Sequence, residues 1–190
     1  MKGEAVLDPA AGVTATAMLS PDGRHRYLLR RQINPTLVQP LDVVDAVLKG
    51  CPIAKRVLFV MLNPSTADAT KDDNTIRRCK SFAAEWGASV LTVVNLFSFR
   101  ATKPAELLGV RDPSDKTNEE VVREEIAAHK DGIIVAAWGR FAKLDNCDRT
   151  WIKVAVRMHD GWCLGANQDG SPRHPLYVPA VQKLIPYGRD

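Results

Sequence analysis

Four residues of this chain have types and positions suited to chemistry: Asn63, Asn95, Gly139 and His174. Asn63, Asn95 and Gly139 fall at or just after the ends of apolar runs at residues 57–62, 90–96 and 132–138. His174 follows a shorter run at 162–164 after a polar loop. Six or seven apolar residues, many of them β-branched, are too few for a membrane span and suit strands buried on both faces. If those strands are parallel, the four residues converge at one sheet edge, where ligands bind in open α/β sheets.

The chemistry available to this set is that of a polar organic ligand. An asparagine amide is no strong base, but it can hold a water or read a polar edge. Asn95 offers one donor group and one acceptor, which suits the edge of a nucleobase. His174 can donate to an oxygen that gains negative charge in a transition state. Arg173 or Arg100 suits a phosphate, and Phe97, Phe99 or Tyr177 suits stacking on a planar ring. Pro64 and Ser65 follow Asn63 directly and belong to the same candidate binding edge. Asp68, Asp72 and Asp73 form an acidic cluster. They admit a second chemistry, a magnesium-dependent phosphoester hydrolase, although a capped, solvated loop explains them as well. No Gly-rich phosphate loop, serine nucleophile elbow or H-E-x-x-H motif is present.

The elements that position these residues read as follows. Residues 1–12 carry little pattern and read as a flexible arm, with a single domain over 13–190. Residues 14–20 and 24–32 read as a hairpin turning at Pro21-Asp22-Gly23. Tyr27 and Leu29 would face one side of it, and Arg24, Arg26 and Arg30 the other. Residues 41–48 suit a short helix. Pro64 ends the central strand, and Asp73 is the expected N-cap of a helix over 74–86. That helix carries Ile76, Cys79, Phe82, Ala83 and Trp86 on one face, and Gly87 closes it. Arg77, Arg78 and Lys80 read as its solvated face; the alternative sets Arg77 toward an anionic ligand. Pro104 opens a short helical turn, and further helices read over 115–130 and from Gly139 through Arg157. A last helical turn reads over 181–184. Strands alternating with helices predict an α/β fold with a largely parallel central sheet, plus the N-terminal hairpin at an edge.

Composition sets the bounds. With 190 residues, 45% hydrophobic and 25% charged, the chain can bury a substantial core. A net charge of +4 permits contact with phosphates without demanding it. No run has the length of a transmembrane helix and no signal-peptide pattern opens the chain, so the expected setting is cytoplasmic, with no membrane partner. Cys51, Cys79, Cys147 and Cys163 form no C-x-x-C pair, so neither a metal nor another cofactor is expected.

Five motifs carry a resemblance: residues 62–68 (LNPSTAD), 73–79 (DNTIRRC), 95–102 (NLFSFRAT), 137–139 (AWG) and 172–177 (PRHPLY). Together they resemble domain-of-unknown-function family 1643, over roughly residues 25–186. Their order and spacing are also similar to the uracil-DNA glycosylase superfamily, which implies a three-layer α/β sandwich and cleavage of an N-glycosidic bond on a flipped base. On that likeness Asn63 positions the attacking water, Asn95 reads the base edge, Trp138-Gly139 matches a W-G pair, and His174 stabilises the leaving base. Ser65-Thr66 and Leu176-Tyr177 depart from the superfamily's pattern. The expected function is thus a glycosylase-like protein acting on or binding a nucleobase, in DNA or in a nucleotide. The alternatives are a non-catalytic nucleotide or nucleic-acid binding module and the magnesium-dependent hydrolase.

Overall fold

A computed structural model describes residues 2–8, 12–33, 55–111, 113–140 and 149–188. The fold is α/β, built on one mixed eight-stranded sheet of order β1-β2-β3-β5-β4-β6-β7-β8. The strands are β1 (Lys2–Asp8), β2 (Gly12–Leu19), β3 (Arg26–Gln32), β4 (Lys55–Met61), β5 (Ala88–Asn95), β6 (Ile133–Ala136), β7 (Trp162–Cys163) and β8 (Ile185–Pro186). The helices are α1 (Asn74–Glu85), α2 (Lys116–Ala128) and α3 (Thr150–Met158), with a 3-10 turn at Pro104–Gly109.

The central apolar run behaves as its composition dictates. Residues 57–62 of β4 and its C-terminal extension are all buried, and alternate side chains enter two separate cores. Val57, Phe59 and Met61 pack with Ile76, Cys79, Phe82 and Ala83 of α1. Leu58, Val60 and Leu62 pack with Val121, Val122 and Ile126 of α2 and with Ile152 and Val156 of α3. The expected face of α1 is therefore the one that packs, with Trp86 partly buried and stacked at 5.9 Å on Phe59. Asp73 caps α1 by accepting from the Ile76 N–H at 2.8 Å, and Gly87 leaves the helix at φ 70°.

The sheet is not largely parallel. The pairs β4–β5, β4–β6 and β6–β7 are parallel, whereas β1–β2, β2–β3, β3–β5 and β7–β8 are antiparallel. Connections account for much of the difference: β4 and β5 are joined through α1 and β6 and β7 through α3, as parallel neighbours need a crossover, whereas β1, β2 and β3 follow one another through links of a few residues, as antiparallel neighbours can. Residues 2–8, expected in a loose arm, form β1 beside β2, so the hairpin is covered at its outer side. Residues 181–184, expected as a last helical turn, form no helix, and β8 follows them and closes the sheet. The expected helix at 41–48, the start of the helix after Gly139, Cys51 and Cys147 lie outside the described residues. Among the described residues no helix is long and apolar enough to cross a membrane.

Candidate active site

The parallel strands β4, β5 and β6 end at one edge, and β3, running antiparallel to β5, begins there. The loops beyond these ends are sewn together. Leu96 N–H donates to the Met61 carbonyl at 2.8 Å and Ala101 N–H to the Pro64 carbonyl at 2.9 Å. Gly139, in the left-handed region at φ 76°, donates to the Pro172 carbonyl at 3.0 Å. A Cβ at Gly139 would stand 3.5 Å from the His174 Cβ, so this turn brings the end of β6 against His174.

A pocket of ≈ 780 Å³ opens at this edge, within the usual range for small-molecule sites. Of the residues expected in the site, Asn63, Ser65, Asn95, Gly139, Arg173 and His174 line it. Pro64, Phe97 and Arg100 do not. Pro64 is buried and contributes its carbonyl to the loop stitching. Phe97 is fully buried in the core shared with α2 and α3. Arg100 clamps the loop after β4, donating to the carbonyls of Ser65, Gly23 and Thr66 at 3.2–3.4 Å. Arg77 is also absent from the lining; it donates to Asn74 Oδ1 at 2.8 Å on the exposed face of α1. Phe99 meets the edge of His25 at 5.7 Å, away from the pocket, whereas Tyr177 stands exposed on its wall, 5.6 Å from the His174 ring.

Two polar side chains in the pocket, Asn63 and His174, have defined functional ends, and a third, Asn95, has both ends unpartnered among the described residues. Asn63 Nδ2 donates to the carbonyls of Pro64 at 2.9 Å and Ala101 at 2.8 Å. That fixes the amide orientation and leaves Oδ1 as its acceptor. His174 Nδ1 accepts the Leu176 N–H at 3.3 Å, so Nε2 carries the ring proton and is the donor. Burial pulls its pKa down to about 4, against the opposing charge of Asp73, so the ring is neutral at pH 7. Asn95 is 1% exposed, and neither Oδ1 nor Nδ2 has a hydrogen-bond partner among the described residues. Its backbone is anchored from behind: Asn118 Nδ2, buried in α2, donates to the Asn95 carbonyl at 3.1 Å.

Sequence reasoning missed Arg26. It was expected on a basic outer face, but it is 2% exposed and lines the pocket. The loop over residues 63–73 covers it, and its Nη1 donates to the Ala67 carbonyl at 2.8 Å. Burial lowers its pKa to about 10, which leaves it a cation at neutral pH. Trp138, Arg140 and Asn167 also line the pocket. The W-G motif pointed at Trp138; the other two carry no pattern that marks them.

The acidic cluster does not form a metal centre. Asp68 Oδ1 accepts from Thr70 N–H, Thr70 Oγ1 and Lys71 N–H at 2.8–3.0 Å, and the Thr70 amide above all holds its carboxyl below the usual range. Burial pushes Asp72 upward, but Lys80 and Arg31 outweigh it with bonds of 2.9 and 2.7 Å and hold it low. Asp73 caps α1. The three carboxylates thus face different partners, and no group of three potential metal-ligating His, Cys, Asp or Glu residues occurs among the described residues.

A family model described as Protein of unknown function (DUF1643) matches residues 26–176, a span that holds every pocket-lining residue except Tyr177. No curated protein matches the chain. No solved structure matches it either.

Proposed function

The chain belongs to the DUF1643 family of proteins of unknown function, and we propose that its pocket binds a nucleobase and hydrolyses the N-glycosidic bond that holds it. The observation that carries this reading is Asn95. A buried amide with both its donor and its acceptor unpartnered, facing a ligand-sized pocket, is costly unless a ligand completes it. A base edge presents the complementary acceptor and donor side by side.

The neighbours of Asn95 suit the remaining steps. Asn63 Oδ1 accepts from a water and aims its oxygen at the anomeric carbon. The bond to the base breaks with its electron pair leaving on the base. The water oxygen bonds to the sugar carbon, and its proton passes to solvent. His174 Nε2–H donates to the oxygen on which the departing base collects charge, and it does so as a neutral imidazole. The order of the motifs, similar to that of the uracil-DNA glycosylase superfamily, agrees with these roles, and the helices on both faces of the sheet agree with its three-layer plan. Asp73 is the sole carboxylate in the lining and it is engaged as a helix cap. That observation favours, as the second reading, a pocket that holds its ligand without turnover.

Incubation with short oligonucleotides and with nucleosides and nucleotides, EDTA present throughout, separates the two. Released base and abasic sites are scored for the wild type, Asn63→Ala and His174→Ala. Hydrolysis predicts base release that persists in EDTA and falls about 10²-fold in His174→Ala. Binding without release points to the second reading, and neither binding nor release excludes both.

A further inference from the structure

Three arginines are buried among the described residues: Arg26, Arg31 and Arg149. Two have carboxylate partners. Arg31 Nε meets Asp72 Oδ1 at 2.7 Å, and Arg149 Nη1 meets Glu119 Oε1 at 2.9 Å. Arg26 forms no ion pair with any described residue, and its Nε has no hydrogen-bond partner there. It is also the one of the three that lines the pocket. Asp73 and Asp68 offset the charge of Arg26 only from beyond ion-pair distance, while Arg100 and Arg31 add to the positive charge around it, and a buried guanidinium with no carboxylate in contact is relieved when an anion reaches it.

We propose that Arg26 pairs with a phosphate group of the ligand, so that the pocket takes a nucleotide in preference to a nucleoside or a free base. The inference rests on the nucleobase reading above and narrows its substrate class. The surroundings of Arg26 suit a phosphate. Ser65 and Thr75 bring hydroxyls into the lining, and the first turn of α1 opens onto the same space. The lining carries three guanidinium groups, on Arg26, Arg140 and Arg173, against the single carboxylate of Asp73. One oxygen of that carboxylate is committed to the Ile76 N–H. The excess of positive charge favours an anionic ligand, and bonds from a guanidinium to phosphate are of the strong, charge-assisted class. A pocket of ≈ 780 Å³ has room for base, sugar and phosphate together.

Calorimetric titration at low salt tests the proposal. The probes are uridine, inosine and guanosine, their 5′-monophosphates, inorganic phosphate, and a short single-stranded oligonucleotide. In the wild type the tightest-binding nucleoside gains about tenfold or more on carrying the phosphate, and the oligonucleotide binds no tighter than the mononucleotide. Arg26→Met removes the gain, bringing nucleotide down to the level of nucleoside. Equal affinity of nucleoside and nucleotide for the wild type overturns the proposal without recourse to any variant. A gain that survives in a folded Arg26→Met protein overturns the role of Arg26. Oligonucleotide binding tenfold tighter than the mononucleotide overturns the nucleotide assignment in favour of a polymer. Nucleosides that bind while phosphate adds nothing leave the nucleobase reading standing; a wild type that binds none of these probes removes both.

Discussion

Two neighbouring regions of this molecule treat polar groups in opposite ways. In the loop between β4 and α1, Asp68, Asp72 and Asp73 each have partners: backbone amides, Arg31 with Lys80, and the first turn of the helix. A short distance along the same sheet edge, Asn95 and Arg26 are more deeply buried, yet the amide of Asn95 has no hydrogen-bond partner and Arg26 no carboxylate in contact among the described residues, Asp73 and Asp68 acting on its charge only from beyond ion-pair distance. Burial normally forces the reverse, because the cost of an unpaired polar group rises as water is withdrawn. The loop is therefore architecture, and Asn95 and Arg26 differ from the other residues with buried atoms lacking a hydrogen-bond partner among the described residues, such as Thr92, Glu125 and His129, in lining the pocket.

The largest expected effect comes from breaking the paired region. Asp72→Ala leaves Arg31, whose side chain is 5% exposed, without its carboxylate. Removing one partner of a buried pair costs roughly 3–5 kcal/mol, so denaturant melts should show a loss near the lower end of that range. A change within error would mean that the ion pair contributes nothing to the loop.

The converse substitution sharpens the contrast. Asn95→Ala removes a buried side chain that makes no hydrogen bonds to the described residues, so its effect on stability should stay within about 1 kcal/mol. Ligand affinity should fall about tenfold or more. A variant that unfolds like a core truncation while binding is unchanged would move Asn95 from the pocket to the architecture.

A third effect is a pH dependence. His174 has a pKa of about 4 in the fold against an ordinary value of 6.5. Between those values the unfolded chain takes up a proton that the fold resists. The contribution of His174 to stability is thus fully present above about pH 6.5 and is lost as pH falls toward 4. Going from pH 7 to pH 5, the wild type should lose more stability than His174→Asn in matched melts. Equal losses would show that the ring titrates normally. Base release that depends on neutral His174 should likewise hold its plateau below pH 6.5.

What the sequence made legible followed from local pattern. Asn63 and Asn95 stood out because each ends an apolar run, and such a run buried on both faces fixes where its end must lie. Asp73 was readable as the cap of α1 because capping is a contact within one turn, and the helix expected over 115–130 is α2, with Asp115 as its cap. Arg26 was not readable. In an alternating strand a basic residue between apolar ones reads as solvent-facing, as its neighbours Arg24 and Arg30 are; only the loop from 63 to 73, distant in sequence, turns that position inward. Asn118 was missed for the same reason: a polar residue in the first turn of a helix looks solvated until β5 packs behind it. The family was legible from its motifs, while the largely parallel sheet was an overreach. Periodicity finds strands, but pairing direction depends on the connections. The last strand is two residues long and has no periodicity to find.

The most direct test concerns Asn95. Its side-chain amide resonances can be assigned by their loss in Asn95→Asp and followed in ¹⁵N-labelled protein during titration with nucleosides and nucleoside monophosphates. A saturable shift of those resonances, at ligand concentrations that also shift residues around Asn63 and His174, is the expected result. Resonances that stay fixed while a nucleobase ligand binds elsewhere, or while none of these ligands binds, would contradict the nucleobase pocket.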